Sequence, residues 1–275
     1  MSAERERAVA PAGEEPAPFD TSVAHMARVY DYWLGGKDNF AADREAAEQS
    51  IAANPGILRD VRANRAFLAR AVRYLAAERG IRQFLDIGTG IPTANNTHEV
   101  AQSVAPECRI VYVDNDPVVL AHARALLTSD ALGATAYIDA DLRDTRKILA
   151  GAARTLDFSR PVAVTLLAIL HLIRDEDDPQ QIVATLMAAV PPGSYLVISH
   201  PASDIRPAAV AEMSRRMNAR LGPVRGTLRD QAAVTRFFDG LALVEPGVLQ
   251  PQWWRPPEAE SEAEVALWCG VARKP

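Results

Sequence analysis

Short apolar runs alternate with helix-like stretches along the chain after Gly80, and this alternation constrains the fold more than any other feature. Five of the runs are predicted strands, and they span Phe84–Ile87, Arg109–Val113, Thr135–Ala140, Val162–Ile169 and Ser194–Ser199. Strands that alternate with helices at this spacing predict a parallel, doubly wound sheet. The fourth run is apolar throughout, which is typical of a strand that is buried on both faces.

The two ends of the chain depart from this alternation. Residues 1–20 are rich in Ala, Pro and Glu and predict a mobile tail, whereas residues 21–80 show a helical pattern without a strand signal. Near the other end, Ala242–Leu249 and Val265–Ala272 predict two strands that pair as an antiparallel edge hairpin. The expected fold is α/β and Rossmann-like. It has a doubly wound, mostly parallel seven-stranded sheet over residues 81–275, an antiparallel C-terminal hairpin and an N-terminal helical extension.

Charge and composition narrow the class of partner. The 275 residues are 48% hydrophobic and 24% charged, and the formal net charge of −5 disfavours broad electrostatic capture of nucleic acid. No apolar run approaches the roughly 20 residues that a membrane helix needs, and the N-terminus lacks an apolar stretch of the signal-peptide type. We expect a cytoplasmic protein without a nucleic-acid or membrane partner.

Neither the cysteines nor the most acidic run predicts a metal site. Cys108 and Cys269 lack the spacing of metal ligands, and we expect them to be small buried side chains in a reducing compartment. The acidic run Asp175–Asp178 comes without a further ligand, so charges at the start of a helix are the preferred explanation.

Turn-forming and acidic residues follow the first three predicted strands, where an open α/β sheet binds its ligands. Asp86–Gly90 closes the first strand, and its two glycines would let the backbone turn sharply and approach a ligand. Asp114 closes the second strand, 24 residues after Gly90, where a carboxylate can accept hydrogen bonds from both ribose hydroxyls. Asp141 follows the third strand and could accept from an adenine amino group while Leu142 packs on the ring. Because Gly and Asp are also ordinary turn residues, the prediction depends on their combination.

The turn after the first strand favours a ligand without phosphate. A dinucleotide fingerprint would need a third glycine where Thr93 stands, and Pro92 before it has no N–H to offer an anion. No Gly-x-x-x-x-Gly-Lys-Ser/Thr motif occurs either. A ligand with ribose and adenine fits better, and Asp86 suits one that also carries an ammonium and a sulfonium.

At these residues the sequence resembles the class I methyltransferases. Phe84–Gly90 is similar to their first motif and Tyr112–Pro117 to their second. Asp139–Leu142 and the turn Pro191–Gly193 complete the likeness, which covers roughly residues 80–275. The sequence departs from the general pattern at Pro92, where many methyltransferases carry a third glycine.

A narrower resemblance covers nearly the whole chain. Arg28–Phe40, Gly90–Thr93 and Asn96–Val100 resemble the actinobacterial S-adenosyl methyltransferase family, long described only as a domain of unknown function. The resemblance implies the seven-stranded methyltransferase sheet and S-adenosylmethionine as cofactor. It leaves the methyl acceptor unidentified, and we expect a small molecule.

The Gly35–Gly36 pair within the narrower motif would end a helix and place Lys37–Asn39 in a turn. One interpretation is that this turn covers the methionine end of the cofactor, with Tyr30 or Tyr32 near the sulfonium, where a ring face favours a cation. The other is that the aromatic side chains anchor the N-terminal helices to the sheet. The candidate cofactor-binding residues are thus Asp86, Gly88, Thr89, Gly90, Asp114, Asn115, Asp141, Leu142 and Tyr32.

Methyl transfer requires alignment of the acceptor and exclusion of water, and a general base only if the acceptor must lose a proton. His171 and His200 follow the fourth and fifth strands, and with Tyr32 they are the candidate catalytic residues. Each histidine could instead be a hydrogen-bonded turn residue. Trp253 and Trp254 could wall an acceptor pocket or cover the sheet edge.

Two other functions stay open on the sequence alone. A sensor or accessory protein without catalysis would keep the cofactor-binding residues but lack a closed acceptor pocket. A nicotinamide-dependent oxidoreductase is disfavoured by Pro92 and Thr93.

Overall fold

A computed structural model describes residues 20–126, 132–222, 225–256 and 263–275. The predicted tail, residues 1–20, lies outside the described residues except for Asp20. In the described ranges, seven strands form one sheet, and they are β1 (Gln83–Ile87), β2 (Arg109–Asp114), β3 (Ala134–Asp139), β4 (Ala163–Leu167), β5 (Tyr195–Pro201), β6 (Ala242–Leu243) and β7 (Leu267–Arg273).

The order of strands across the sheet is β3-β2-β1-β4-β5-β7-β6. Strands β1 to β5 pair in parallel, whereas β7 is antiparallel to both β5 and β6. The predicted mostly parallel, seven-stranded sheet with an antiparallel C-terminal pair is therefore confirmed. Because the chain moves outward from β1 to β3 and then returns to β4, the topological switch point lies between β1 and β4, where ligands are expected to bind.

The helices of the described residues are α1 (Met26–Trp33), α2 (Ala41–Ala53), α3 (Ile57–Ala77), α4 (Thr97–Val104), α5 (Pro117–Leu126), α6 (Thr145–Ala152), α7 (Pro179–Ala188), α8 (Pro207–Asn218) and α9 (Gln231–Thr235). Helices α4 to α7 each follow one of the parallel strands, so the sheet is wound on both faces. None of the helices in this part of the chain has both the length and the apolar character needed to span a bilayer.

Both faces of the sheet are buried because successive strand side chains point in opposite directions. Leu85 of β1 belongs to the same buried cluster as Ile148 of α6 and Leu186 of α7. Its neighbour Phe84 belongs to a second cluster on the other face, together with Leu75 of α3. A fully buried side chain of this size contributes about 1.5–3 kcal/mol, which explains why the strands are apolar on both faces.

A third buried cluster joins the N-terminal helices to α8. It contains Val29 and Trp33 of α1, Ala47 of α2, and Met213 and Met217 of α8. Helix α3 is 21 residues long and contributes its first turns to this cluster and its later turns to the sheet. The helical extension is thus tied to a C-terminal helix as well as to the sheet.

The edge hairpin is shorter than predicted. The run Ala242–Leu249 was expected to be one strand, but β6 has only two residues. Pro246 has no N–H for the ladder, and Gly247 N–H donates to Val244 O at 3.0 Å, so the chain turns there. Pairing with β7 resumes at a single bridge between Leu249 and Cys269.

The fourth strand also ends early. The prediction ran to Ile169, whereas β4 ends at Leu167 because Ala168 turns the chain with a φ of +50°. A left-handed alanine costs roughly 1–2 kcal/mol, and such residues concentrate at functional sites. This turn directs the following loop over the carboxyl ends of the strands.

Candidate functional site

A cavity of about 170 Å³ opens at the carboxyl ends of the parallel strands, beside the switch point. Its lining includes eight of the nine predicted cofactor-binding residues, namely Asp86, Gly88, Thr89, Gly90, Asp114, Asn115, Asp141 and Leu142. Parallel strands end at the same edge of a sheet, so three separate strand exits converge on one space. We call this space the first cavity.

The two glycines of the first turn have different surroundings. Both adopt a positive φ, +74° at Gly88 and +67° at Gly90, as the predicted sharp turn requires. A side chain at Gly88 would clash with Ile169, so this glycine makes room for the loop after β4. At Gly90 the space is open. Both glycines belong to the lining of the first cavity, so the close ligand approach predicted for them stays a prediction.

Asp86 is a buried carboxylate that faces the first cavity without an ion pair among the described residues, although the charge of Arg65 in the same lining lowers its pKa. The hydroxyls of Thr97 and Thr165 each donate to it at 2.6 Å. Burial raises the pKa of Asp86, and the two hydroxyl hydrogen bonds oppose this rise. It forms no ion pair among the described residues, so a cationic ligand group would find an electrostatic partner here. The sequence analysis did not identify the two threonines, because each lies on a different element.

Asp114 is held by the backbone. Its Oδ2 accepts from Gly90 N–H at 2.8 Å, and its Oδ1 accepts from Asp116 N–H at 3.0 Å. Burial raises the pKa of the Asp114 carboxyl, and these backbone hydrogen bonds lower it. Each carboxylate oxygen has a second lone pair, so both can still accept from a ribose hydroxyl. Asp114 therefore keeps acceptor capacity in the lining of the first cavity.

Asp141 is partly engaged by its neighbours. Its Oδ1 accepts from Arg143 N–H at 2.8 Å, and the Arg143 guanidinium lies 3.1 Å from both carboxylate oxygens. The guanidinium also reaches Asp177 at 3.1 Å. An adenine amino group would therefore share Asp141 with Arg143. Asn115 is exposed, with Nδ2 3.4 Å from Asp141 Oδ2.

The acidic run after β4 is accounted for by protein partners. Asp175 pairs with Arg229 at 2.6 Å, and Asp178 caps α7 by accepting from Gln181 N–H at 3.1 Å. No group of metal-binding side chains was found in the described ranges.

Tyr32 is not at the cavity, and this corrects the prediction. Residues two apart on a helix lie on opposite sides, because each residue advances the helix by about 100°. Tyr30 lines the first cavity, whereas the Tyr32 hydroxyl donates to Glu48 of α2. Of the two tyrosines named from the sequence, the structure brings only Tyr30 to the site.

The Gly35–Gly36 turn folds onto Asp31 rather than onto the cavity. Asp31 Oδ2 accepts from Asp38 N–H at 3.0 Å and from Asn39 Nδ2 at 2.9 Å. A side chain at Gly36 would clash with the Asp31 carboxylate. Asp31 itself lines the first cavity, so the turn positions a lining residue and does not contribute Lys37 or Asn39 to the lining described here.

Several lining residues of the N-terminal helices were not predicted from the sequence, namely His25, Asp31, Asn64 and Arg65. His25 Nδ1 lies 2.7 Å from Asp116 Oδ2 and joins the start of α1 to the loop after β2. Arg65 donates to Ala94 O at 3.0 Å, beside the first turn. One sequence signal could have indicated this part of the lining. Asn64 is a polar residue at a position of α3 where the neighbouring turns carry apolar residues, and it is only 5% exposed.

A second cavity of about 80 Å³ adjoins the first. Helices α1, α3 and α8, the loop after β4 and the start of β7 contribute to its lining. The residues that line both cavities are Met26, Tyr30, Asn64, Ala168, Leu172 and Leu221. The left-handed Ala168 therefore lies at the junction of the two spaces.

The two candidate histidines lie in different environments. His200 is fully buried, with Nε2 2.9 Å from the Arg229 guanidinium and Nδ1 2.9 Å from Pro201 O. Because arginine only donates, Nε2 must accept and Nδ1–H must donate, so both nitrogens are occupied. Burial, with the neighbouring His171 and Arg229, lowers the pKa of His200 well below 6.5. His200 is thus a hydrogen-bonded structural histidine, which is the alternative to a base that the sequence left open.

His171 lines the second cavity. Neither ring nitrogen forms a hydrogen bond within the described residues, and only Nδ1 is wholly enclosed. Burial, and to a smaller extent the Arg229 cation, lowers the pKa of His171 from 6.5 to about 4. The side chain is therefore a neutral imidazole at pH 7.

The tryptophans cover the sheet. Trp254 is fully buried, and its ring packs edge-on against Phe67 and Tyr74 at centroid distances of 5.3 and 5.7 Å. Trp253 is 44% exposed. Neither belongs to the described lining of either cavity, which favours the structural interpretation over an acceptor wall.

Comparisons with known proteins identify the family and the fold. The model of a family described as S-adenosyl methyltransferase matches residues 12–275. A crystal structure of a DUF574 family protein from Streptomyces avermitilis is 48% identical, with a TM-score of 0.90, over 93% of this chain and 99% of that one. A candidate methyltransferase from Thermobifida fusca is 41% identical, with a TM-score of 0.86, over 96% and 99%.

More distant structures share the fold. The plantazolicin methyltransferase BpumL, crystallised with S-adenosylhomocysteine, is 10% identical, with a TM-score of 0.54, over 90% of this chain and 96% of that one. No curated protein sequence gave a significant match.

Proposed function

Since the chain belongs to the S-adenosyl methyltransferase family, we propose that its two adjoining cavities hold the methyl donor and the methyl acceptor. The protein is an S-adenosylmethionine-dependent methyltransferase. Our proposal assigns the first cavity to the cofactor and the second to a small-molecule acceptor. The proposal rests on the residues around Ala168 that line both cavities. Methyl transfer requires the methyl donor and the acceptor to be in contact, and the two cavities adjoin at these residues.

The donor groups of the first cavity suit this cofactor. Asp86 would hold the ammonium, and the Arg65 guanidinium would hold the methionine carboxylate, since opposite charges are available at these two positions. Asp114 would accept from the ribose hydroxyls. Asp141 and the buried Leu142 would contact the adenine.

When bound, S-adenosylmethionine supplies an electrophilic methyl group on a sulfur that leaves with the bonding electron pair. The protein's residues bind, align and exclude water. Tyr30 lines both cavities, and its ring is the aromatic face available to a cation at the junction. Its hydroxyl is held by Asn64 at 2.9 Å and by Val61 O at 3.3 Å, so the ring has a fixed position.

Location and domain division belong to the same proposal. We place the enzyme in the cytoplasm, which the two unpaired and buried cysteines support. Residues 21–80 would act as the helical cover of residues 81–275, supported by the lining residues that α1 and α3 contribute to both cavities.

Calorimetric titration tests the cofactor assignment. We expect S-adenosylmethionine and S-adenosylhomocysteine to bind and NAD not to bind. Asp114→Asn should weaken both adenosyl ligands by about tenfold to a hundredfold, because hydrogen bonds to charged groups contribute roughly 1.5–3 kcal/mol. The matched control is Asp139→Asn, at the exposed end of the adjacent strand. Equal affinities in the two variants, or tight NAD binding, would contradict the assignment.

A further inference from the structure

The wall between the two cavities is a chain of hydrogen bonds. Ala168 N–H donates to Ser199 Oγ at 3.0 Å, and Ser199 Oγ donates to Asn64 Oδ1 at 2.6 Å. Asn64 Nδ2 then donates to the Tyr30 hydroxyl at 2.9 Å. Each polar group in the wall has a hydrogen-bond partner in the protein, so the wall presents no unsatisfied polar group to a ligand.

The remaining polar groups of the second cavity are also largely satisfied. Asp60 is paired with Arg206 at 2.5 Å and accepts from Ala266 N–H at 3.1 Å. Asn218 exchanges two hydrogen bonds with the backbone of Gly226. The partly exposed Ser214 hydroxyl is a further polar group in the lining.

The Asn54 amide oxygen of the lining accepts from the Arg206 guanidinium at 2.9 Å. Most of the remaining lining is apolar, with Ile57, Val61, Val210, Met213, Met217 and Leu228 among the contributors. Asp60 is the one lining residue in an ion pair among the described residues, and its partner Arg206 lies outside the lining. A charged ligand would lose its hydration here without gaining a counter-ion. The second cavity therefore selects an uncharged and mainly apolar molecule.

His171 is the exception in this lining. It is 9% exposed, and neither nitrogen has a hydrogen-bond partner within the described residues. Because Nδ1 is wholly enclosed and Nε2 is not, Nε2 is the ring nitrogen at which a ligand can supply a missing hydrogen bond, and such a bond to a polar group of low exposure contributes about 1–3 kcal/mol. The charge of Arg229, which holds the loop around His171 through Leu170 O and Ile173 O, disfavours a cationic partner.

We propose that the second cavity binds an uncharged, mainly apolar alcohol or phenol, and that the His171 imidazole accepts the hydrogen bond and then the proton of its hydroxyl. This inference rests on the proposed function and names the class of acceptor. His171 is then a catalytic residue, because it touches the reacting hydroxyl.

Transfer of the acceptor's hydroxyl proton to His171 is energetically favourable. The acceptor oxygen forms a bond to the methyl carbon as the bond from that carbon to sulfur breaks, and sulfur keeps the electron pair. The hydroxyl proton moves to Nε2 of His171, while Nδ1 keeps its own proton. An oxygen that carries both a new methyl group and its proton is a far stronger acid than an imidazolium of pKa about 4, so even this weakened base takes the proton.

Binding of simple probes to the full-length protein tests the inference without turnover. The probes are phenol, toluene, benzoate and benzylamine, added to protein saturated with S-adenosylhomocysteine. The readout is the histidine side-chain ¹⁵N resonances, assigned with His171→Phe. We expect phenol to shift the His171 resonances and to bind about tenfold more tightly than toluene, because only phenol supplies the missing hydrogen bond.

The variant His171→Phe should bind phenol and toluene equally, whereas the control His122→Phe should keep the tenfold preference. His122 is partly exposed and lies 3.4 Å from Asp38, outside the second cavity. Tighter binding of benzoate or benzylamine than of phenol, or an unchanged preference in His171→Phe, would overturn the inference.

Titration with S-adenosylhomocysteine separates this inference from the proposed function. If the wild type binds that compound but shows no preference for phenol, the acceptor assignment fails and the cofactor assignment stands. If the wild type does not bind it, the proposed function itself fails.

Discussion

The two cavities share a wall but come from different kinds of sequence. The first is assembled from strand exits, so each contribution is a local motif of a few residues, such as Asp86–Gly90 or Asp114. The second is assembled mainly from helices and loops, with strand ends, and its residues range from Met26 to Leu267 along the chain. A local motif places its side chains through its own backbone, whereas the second cavity exists only when distant elements pack correctly.

The cavities also differ in charge. The first presents buried carboxylates without an ion pair at Asp86, whereas the second closes its one described ion pair and leaves a neutral imidazole. This difference suits a cationic donor beside an uncharged acceptor. It also means that the helical side depends more on packing and the strand side more on charge.

The largest expected effect is on the helical side. Arg206→Met would leave the Asp60 carboxylate buried without its partner, and we expect the free energy of unfolding to fall by about 3–5 kcal/mol. Urea denaturation measures this loss. The control is Arg215→Met in α8, the helix that Arg206 precedes, because the exposed pair of Arg215 with Glu212 contributes at most about 1 kcal/mol. Equal losses in the two variants would contradict the expected difference between a buried and an exposed ion pair.

Acid should destabilise the protein through His171. The unfolded imidazole has a pKa of 6.5 and the folded one about 4, so the unfolded state binds more protons between these values. The free energy of unfolding should therefore fall as the pH drops through this window, by about 3 kcal/mol for this group. Denaturation of the wild type and of His171→Gln at pH 7 and pH 4 measures the difference. A variant with the same acid sensitivity as the wild type would show that His171 is not buried as a neutral group.

Asp86→Asn tests how much the charge of the first cavity contributes to ligand binding. Removing the negative charge should weaken the binding of S-adenosylmethionine by about tenfold to a hundredfold, since a charged hydrogen bond contributes roughly 1.5–3 kcal/mol. If Asp86 holds the ammonium, S-adenosylhomocysteine should weaken equally. If S-adenosylmethionine weakens more, the carboxylate acts on the sulfonium instead. Unchanged calorimetric affinity for both compounds would exclude either role.

The smallest effect separates two neighbouring tyrosines. Tyr30→Phe removes the acceptor of Asn64 Nδ2 in the wall and should cost about 1–3 kcal/mol of stability. Tyr32→Phe removes only an exposed hydrogen bond to Glu48, and surface changes of this kind stay within about 0.5 kcal/mol. Thermal unfolding of both variants tests the difference. A larger loss at Tyr32 would contradict the assignment of the wall.

Much of the first cavity was predictable from the sequence, because strand exits carry recognisable residues. Asp114 could be placed without coordinates, since a strand signal and a turn signal bracket it on either side. The partners that hold these side chains were not predictable. Thr97 and Thr165 reach Asp86 from a helix and from a neighbouring strand, and no spacing rule joins them.

The two histidines also show what could not be predicted from the sequence. His171 and His200 looked equivalent in the sequence because both follow predicted strands. Arg229, which lies on neither element, decides between them by occupying His200 Nε2. A hydrogen bond between segments that are far apart in the chain leaves no periodic trace.

The sequence by itself determined the alternation of strands and helices, the doubly wound sheet and the acidic and glycine residues at its strand exits. These features follow from local propensity and periodicity. Only the tertiary structure decided that Tyr30 rather than Tyr32 faces the site, that Gly88 makes room for Ile169, and that α8 closes a second cavity. These outcomes depend on how distant segments pack against one another, and side-chain packing is a property of the whole fold.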